Sequence, residues 1–174
     1  MIEIEKTFLA KYLPTDLKNF PAKEMLDIYV GTEMPHPDLR IRKNGDKYEF
    51  TRKSPISESD VSVQKETTIS LSKNEFDDLS FTRGKKIQKT RYLYKLATGE
   101  IAEIDVFGGD LSGLVVVDIE FSSENGKNDF SMPDFCLVEV TQEDFIAGGM
   151  LAGKKYADIE TSLNKFGYQK ITLA

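Results

Sequence analysis

The sequence predicts a mainly β (α+β) domain in which antiparallel strands form a barrel and a few helices pack outside it. Apolar and polar residues alternate with period two in short segments along the whole chain, turn-forming pairs separate those segments, and helical patterns are few. The segments run roughly from Ile2 to Leu9, Leu26 to Gly31, Leu39 to Lys43, Tyr48 to Lys53, Val63 to Ser70, Lys86 to Leu96, Ile101 to Phe107, Leu114 to Ser122 and Phe135 to Thr141, and seven or eight strands are expected from them. Asn44-Gly45-Asp46 predicts a tight hairpin, Thr98-Gly99 a second, and Ser122 to Pro133 a longer polar loop. Strands joined in this way are antiparallel.

The helical patterns can be placed individually. Ser72 with Glu75 makes a capping box ahead of Phe76 and Leu79, and Thr141 with Asp144 offers a weaker N-cap ahead of Phe145. Tyr156, Ile159, Leu163 and Phe166 recur at spacings of three and four before Gly167. They predict an amphipathic helix lying on the apolar exterior of the barrel.

At 174 residues the chain has the size of one domain, 1–174, with a core of its own. Its 40% hydrophobic and 30% charged residues exclude a disordered chain. A net charge of -6 argues against a nucleic-acid partner held through a broadly basic surface. No stretch approaches the roughly 20 apolar residues of a membrane span and the opening lacks a secretory signal, so no membrane partner and a cytoplasmic location are expected. The single cysteine, Cys136, lies in an apolar run and reads as core; the single histidine, His36, lies between prolines and reads as exposed loop. Neither residue supplies a zinc site rich in Cys or His.

Charge is ordered along the strands. Glu3 and Glu5, Arg40 and Arg42, Thr51 and Lys53, Lys89 and Arg91, Glu103 and Asp105, and Asp118 and Glu120 each share one strand face, with Ile4, Ile41, Ile104 and Ile119 between partners. One such pair is what any solvated strand face shows, and small barrels ordinarily turn that face to water. Six pairs point instead to a charged lumen, where cations and carboxylates are costly unless paired, hydrated or neutralised by a ligand. A polyanion with a divalent cation meets both needs, because Arg and Lys grip phosphate oxygens while carboxylates hold Mg2+ or Mn2+.

These residues resemble a known family in their order and spacing. Ile2-Glu3-Ile4-Glu5 followed by Phe8-Leu9, Leu39-Arg40-Ile41-Arg42, Phe50-Thr51-Arg52-Lys53 and Lys89-x-Arg91-Tyr92 are similar to successive motifs of the CYTH, or triphosphate tunnel metalloenzyme, superfamily. Glu66, Asp105-Val106-Phe107, Gly113-Leu114, Asp118-Ile119-Glu120, Glu139-Val140-Thr141 and Leu151-Ala152 continue the resemblance over nearly the whole chain. The resemblance implies a closed eight-stranded antiparallel barrel, the triphosphate tunnel, and Mg2+- or Mn2+-dependent action on a small-molecule triphosphate.

Carried over position by position, the resemblance makes Glu3, Glu5, Asp118 and Glu120 the metal residues and Arg40, Arg42, Lys53, Lys89 and Arg91 the phosphate grips. Glu66 and Asp105 are the catalytic carboxylates it suggests, Glu66 as the group that orients a water. The chain departs from the family where Thr7 stands at the usual lysine position; Lys6, one residue early, should point outward. Hydrolysis of inorganic tripolyphosphate, or of a nucleoside or thiamine triphosphate, is the leading reading. Class IV-type adenylate cyclisation and a non-catalytic triphosphate- or polyphosphate-binding module stay open beside it, as does a homodimer.

Overall fold

The computed structural model describes residues 1–31, 37–57, 59–81 and 84–172. Among the described residues, nine strands form one sheet: β1 (Ile2–Ala10), β2 (Ala22–Val30), β3 (Leu39–Asn44), β4 (Lys47–Ser57), β5 (Asp60–Leu71), β6 (Lys85–Lys95), β7 (Ile101–Phe107), β8 (Val115–Phe121) and β9 (Cys136–Glu139). The order is β5-β4-β3-β2-β6-β7-β8-β1, and an additional β5–β1 pairing closes these eight strands into the expected barrel. Every pairing is antiparallel. The predicted Asn44 hairpin is present, with Asn44 opposite Lys47 and Gly45 at a φ of 60°.

The seam is shared. β1 pairs with β8 from Ile4 to Leu9, with β5 only from Ile2 to Ile4, and with β9 from Phe8 to Ala10. Thus β5 and β9 divide one edge of β1, and β9 is the extra strand that the closed eight do not need. Two strands run further than their alternation indicated. β2 begins at Ala22, where it pairs with Tyr92 of β6, and β4 continues through Pro55 to Ser57 across a register shift.

Three apolar clusters follow from the alternation. On the outside, Phe8, Ala102, Ile104, Val115, Val117 and Ile119 are covered by Leu17, Phe135 and Cys136. Ile28 and Ile41 are covered by Phe76 of α1 (Lys73–Ser80), whose Ser72–Glu75 capping box forms as predicted. The third cluster is different. Leu9, Tyr29, Ile87, Phe107 and Val116 share strand faces with the charged residues, and they pack with Val140, Ile146 and Leu151 and with Tyr156, Ile159 and Leu163 of α4 (Tyr156–Asn164). The C-terminal helix is present where the spacing put it. Its apolar stripe belongs to the cluster closing one end of the lumen, rather than to either exterior cluster.

Two local expectations are corrected. The Thr141–Asp144 cap does not form: Thr141 Oγ1 accepts from Thr7 N (3.1 Å) and donates to Glu139 (2.8 Å), and a single 3-10 turn at Asp144–Ile146 precedes the short α3 (Gly148–Leu151). The loop expected from Ser122 to Pro133 holds α2 (Glu124–Asp129), capped by Ser123, whose Oγ accepts from Gly126 N. His36 lies outside the described residues, and no described helix is long and apolar enough to cross a membrane.

Beyond α4, Gly167 adopts a φ of 72°, which an L side chain would resist, and turns the chain so that Tyr168 enters the core at 1% exposure. The Tyr168 hydroxyl accepts from Val115 N (2.7 Å) and donates to Gly113 O (2.9 Å). Tyr168→Phe leaves that buried amide without a partner, and urea denaturation should show a loss of about 1–3 kcal/mol; an unchanged midpoint contradicts this role for the hydroxyl.

Candidate active site inside the barrel

Because successive side chains alternate across a strand, each strand sends every second residue into the lumen, and the inward residues change character along it. β1 presents Glu3, Glu5, Thr7 and then Leu9; β7 presents Glu103, Asp105 and Phe107; β8, running the other way, presents Glu120, Asp118 and Val116. β6 contributes Arg91, Lys89 and Ile87. The lumen therefore grades from an acidic mouth through a mixed middle to an apolar floor. Its cavity measures about 920 Å³, and every predicted site residue lines it: Glu3, Glu5, Arg40, Arg42, Lys53, Glu66, Lys89, Arg91, Asp105, Asp118 and Glu120.

At the mouth, carboxylate oxygens of Glu3, Glu5 and Glu120 lie within 4.8 Å of one another. Burial, with Asp118 and Glu3 nearby, raises the Glu5 pKa despite the opposing charge of Lys53. The Glu120 carboxyl reaches solvent at the mouth, yet partial burial by the surrounding wall, followed by repulsion from Glu103, Glu3 and Glu5, pushes it up to about 7. Three hard oxygen donors in mutual repulsion fit a divalent cation, which would relieve that repulsion. The predicted fourth ligand, Asp118, is not in this group. It accepts from Thr7 Oγ1 (2.9 Å) and faces Arg91 Nη2 at 3.4 Å.

The cations other than Lys53 sit deeper. Arg42 makes a two-point pair with Asp27, Nε to Oδ1 at 2.6 Å and Nη2 to Oδ2 at 2.7 Å, and Asp27 is 2% exposed. Arg91 does the same with Asp105, at 2.7 and 2.6 Å, and also bonds Glu103. Although burial opposes ionisation of Asp105, Arg91 and Lys89 hold its carboxyl down at about 2. Breaking such a buried pair by removing one partner costs about 3–5 kcal/mol, so Arg42 and Arg91 are fixed in place.

Lys89 bonds Asp105 and lies 5.6 Å from the centre of the Phe107 ring; burial, then the Arg91 and Arg42 charges, lower its pKa. Arg40 donates to the Tyr29 hydroxyl at 3.3 Å and lies 3.9 Å from Glu66, and its buried Nε has no partner among the described residues. Lys53 stands between Glu3 and Glu5, 2.8 Å from each.

Glu66 accepts from Thr68 Oγ1 (2.7 Å) and lies beside Arg40. Lys6 points outward as predicted, 3.3 Å from Glu139. The sequence reading left out Asp27, Glu103 as a partner of Arg91, and Gln64, whose amide donates to Glu5 Oε1 (3.1 Å). Asp27 shares the alternating phase of Tyr29, but it is the pairing of β2 with β3 that sets it opposite Arg42.

The Glu120 shift has a measurable consequence. A carboxyl with a higher pKa in the folded chain than in the unfolded one gains a proton on folding, so its contribution is present below about pH 4.5 and is lost as pH rises through about 7. In chelator, the melting temperature of the wild type should fall relative to Glu120→Gln between pH 5 and 8; parallel profiles contradict the crowded mouth.

No protein-family model matches the chain. A curated relative, the inorganic triphosphatase of Nitrosomonas europaea, is 37% identical over 145 residues, covering 82% of this chain and 91% of its own. Two crystal structures of one protein, the inorganic triphosphatase NE1496, superpose at a TM-score of 0.64 each, one at 32% identity over 87% of this chain and 95% of the other, the second at 31% over 87% and 98%. A proposed adenylate cyclase from Bacillus halodurans, 16% identical with a TM-score of 0.50 over 99% of this chain and 93% of its own, shares the fold. Closed barrel, charged lumen and this extent of identity agree: the chain belongs to the CYTH, or triphosphate tunnel metalloenzyme, superfamily, whose triphosphatases are metal-dependent.

Proposed function

We propose that this protein hydrolyses inorganic tripolyphosphate inside the barrel with Mg2+ or Mn2+ as cofactor. The observation that carries the reading is that one cavity holds a three-carboxylate cluster at the mouth, bridged by Lys53, and the cations Arg40, Arg42, Lys89 and Arg91 deeper in. Among the described residues the cavity wall holds twelve carboxylates and five cationic side chains, so a bare polyanion meets a net negative surface and enters favourably only together with divalent cation. The similarity to an inorganic triphosphatase supports the substrate class.

Glu3, Glu5 and Glu120 would hold the metal, with Asp118 behind them on Thr7. Bound there, the metal would neutralise and polarise phosphate oxygens. Arg40, Arg42, Lys53, Lys89 and Arg91 bind the triphosphate oxygens and stabilise the charge that develops as the bond to the leaving diphosphate breaks. Asp105 acts as a positioning residue, since both its oxygens are engaged by Arg91 and Lys89. Glu66, oriented by Thr68, is the carboxylate we assign to hold the attacking water in line with the terminal phosphorus. Oxygen of that water bonds to phosphorus, the bridging oxygen leaves on diphosphate, and orthophosphate is released.

The test is phosphate release from tripolyphosphate, ATP and thiamine triphosphate, each with Mg2+, Mn2+ or chelator. Metal-dependent release from tripolyphosphate is expected, and Glu120→Gln should lower it by about 100-fold or more. Cyclic nucleotide formed from ATP would make the protein a cyclase. Tight binding with no product would make it a triphosphate sensor.

A further inference from the structure

Each metal-ligand candidate at the mouth must be accounted for before a cation arrives, and two of the three are already engaged. The Lys53 ammonium lies 2.8 Å from Glu3 Oε2 and 2.8 Å from Glu5 Oε1, and its side chain is 20% exposed. Arg42 and Arg91 are pinned in two-point pairs to Asp27 and Asp105, which are 2% and 1% exposed. Lys53 is held by single contacts on a flexible four-carbon stem. Its backbone stays put whatever the ammonium does, because Lys53 pairs with Glu66 across β4 and β5 and its N–H donates to Asp38 O at 3.1 Å. Glu5 also keeps an anchor when the ammonium leaves. Gln64 Nε2 donates to Glu5 Oε1 at 3.1 Å and to Val61 O at 3.0 Å.

Resting on the metal site proposed above, we infer that Lys53 is an exchangeable counter-ion for Glu3 and Glu5, displaced by the metal and received by the triphosphate, so that metal and triphosphate bind as a coupled pair. An ammonium and a divalent cation repel each other strongly when they share oxygens this close. Metal alone must therefore push the ammonium away from its only charged acceptors in the described site, whereas metal arriving with triphosphate supplies new ones. The free protein keeps its carboxylates neutralised, and either ligand raises the affinity for the other by the same factor.

Calorimetric titration with Mn2+ of the wild type, Lys53→Met and Glu120→Gln tests this, with and without imidotriphosphate, whose bridging nitrogens resist hydrolysis. Mn2+ alone should bind Lys53→Met at least about tenfold more tightly than the wild type. Saturating imidotriphosphate should tighten Mn2+ binding to the wild type, and that gain should shrink in Lys53→Met. If Lys53→Met does not fold, Lys53→Gln carries the same comparison, since it removes the charge and keeps a donor to the carboxylates. Equal Mn2+ affinity in wild type and variant, with binding still lost in Glu120→Gln, overturns the exchange while leaving the metal site standing. Mn2+ binding that Glu120→Gln leaves unchanged in every arm overturns the carboxylate site and the exchange with it.

Discussion

A charge that points into a closed barrel is largely withdrawn from bulk water, and the organisation of this protein follows from that constraint. Alternation puts acid and base in the lumen from several strands at once, and each must find a partner there or lose its ionisation. Arg42 with Asp27, and Arg91 with Asp105, are the two-point solutions; Lys53 between Glu3 and Glu5 is the looser one. Where carboxylates outnumber cations, at the mouth, the Glu120 carboxyl rises to about 7. That imbalance suits the mouth to the divalent cation proposed for it.

The same strands build the floor. Leu9, Ile87, Phe107 and Val116 continue the inward faces of β1, β6, β7 and β8 past their charged positions, and the C-terminal segment through α3, α4 and Tyr168 packs on them. Gly148 permits this approach, because a side chain there would meet the Tyr29 hydroxyl at 2.1 Å. Tyr29 in turn accepts from Arg40, so the packing of the floor reaches the row of cations through one hydroxyl. Outside, Lys6 and Glu139 tie β1 to β9, an ion pair of the kind worth about 0–1 kcal/mol, and contribute little beyond that.

Much of this was legible in the sequence. Period two located the strands, Asn44-Gly45 located a hairpin, the Ser72 box located α1, and the six charge pairs gave every predicted lining residue but Glu66, which came from the family resemblance. What escaped depends on which strands become neighbours. Asp27 stands alone in an apolar run, and only the pairing of β2 with β3 sets it opposite Arg42. Asp118, a metal residue by the family resemblance, lies outside the Glu3, Glu5 and Glu120 cluster, because β1 places Thr7 opposite it and the Thr7 hydroxyl donates to it. The helix near Tyr156 has the stripe its spacing indicated; nothing in a stripe says whether it covers the outside of a barrel or closes its end. The Thr7 hydroxyl, at the family's lysine position, donates to Asp118, and Lys6 supplies no compensating cation to the lumen.

The most direct measurement is a crystal structure of the protein grown with Mn2+ and imidotriphosphate, with anomalous scattering used to locate the metal. The account predicts a manganese peak among Glu3, Glu5 and Glu120, phosphate density against Arg40, Arg42, Lys89 and Arg91, and Lys53 turned from the carboxylates to a phosphate oxygen. Manganese away from those three carboxylates, or triphosphate outside the lumen, contradicts it.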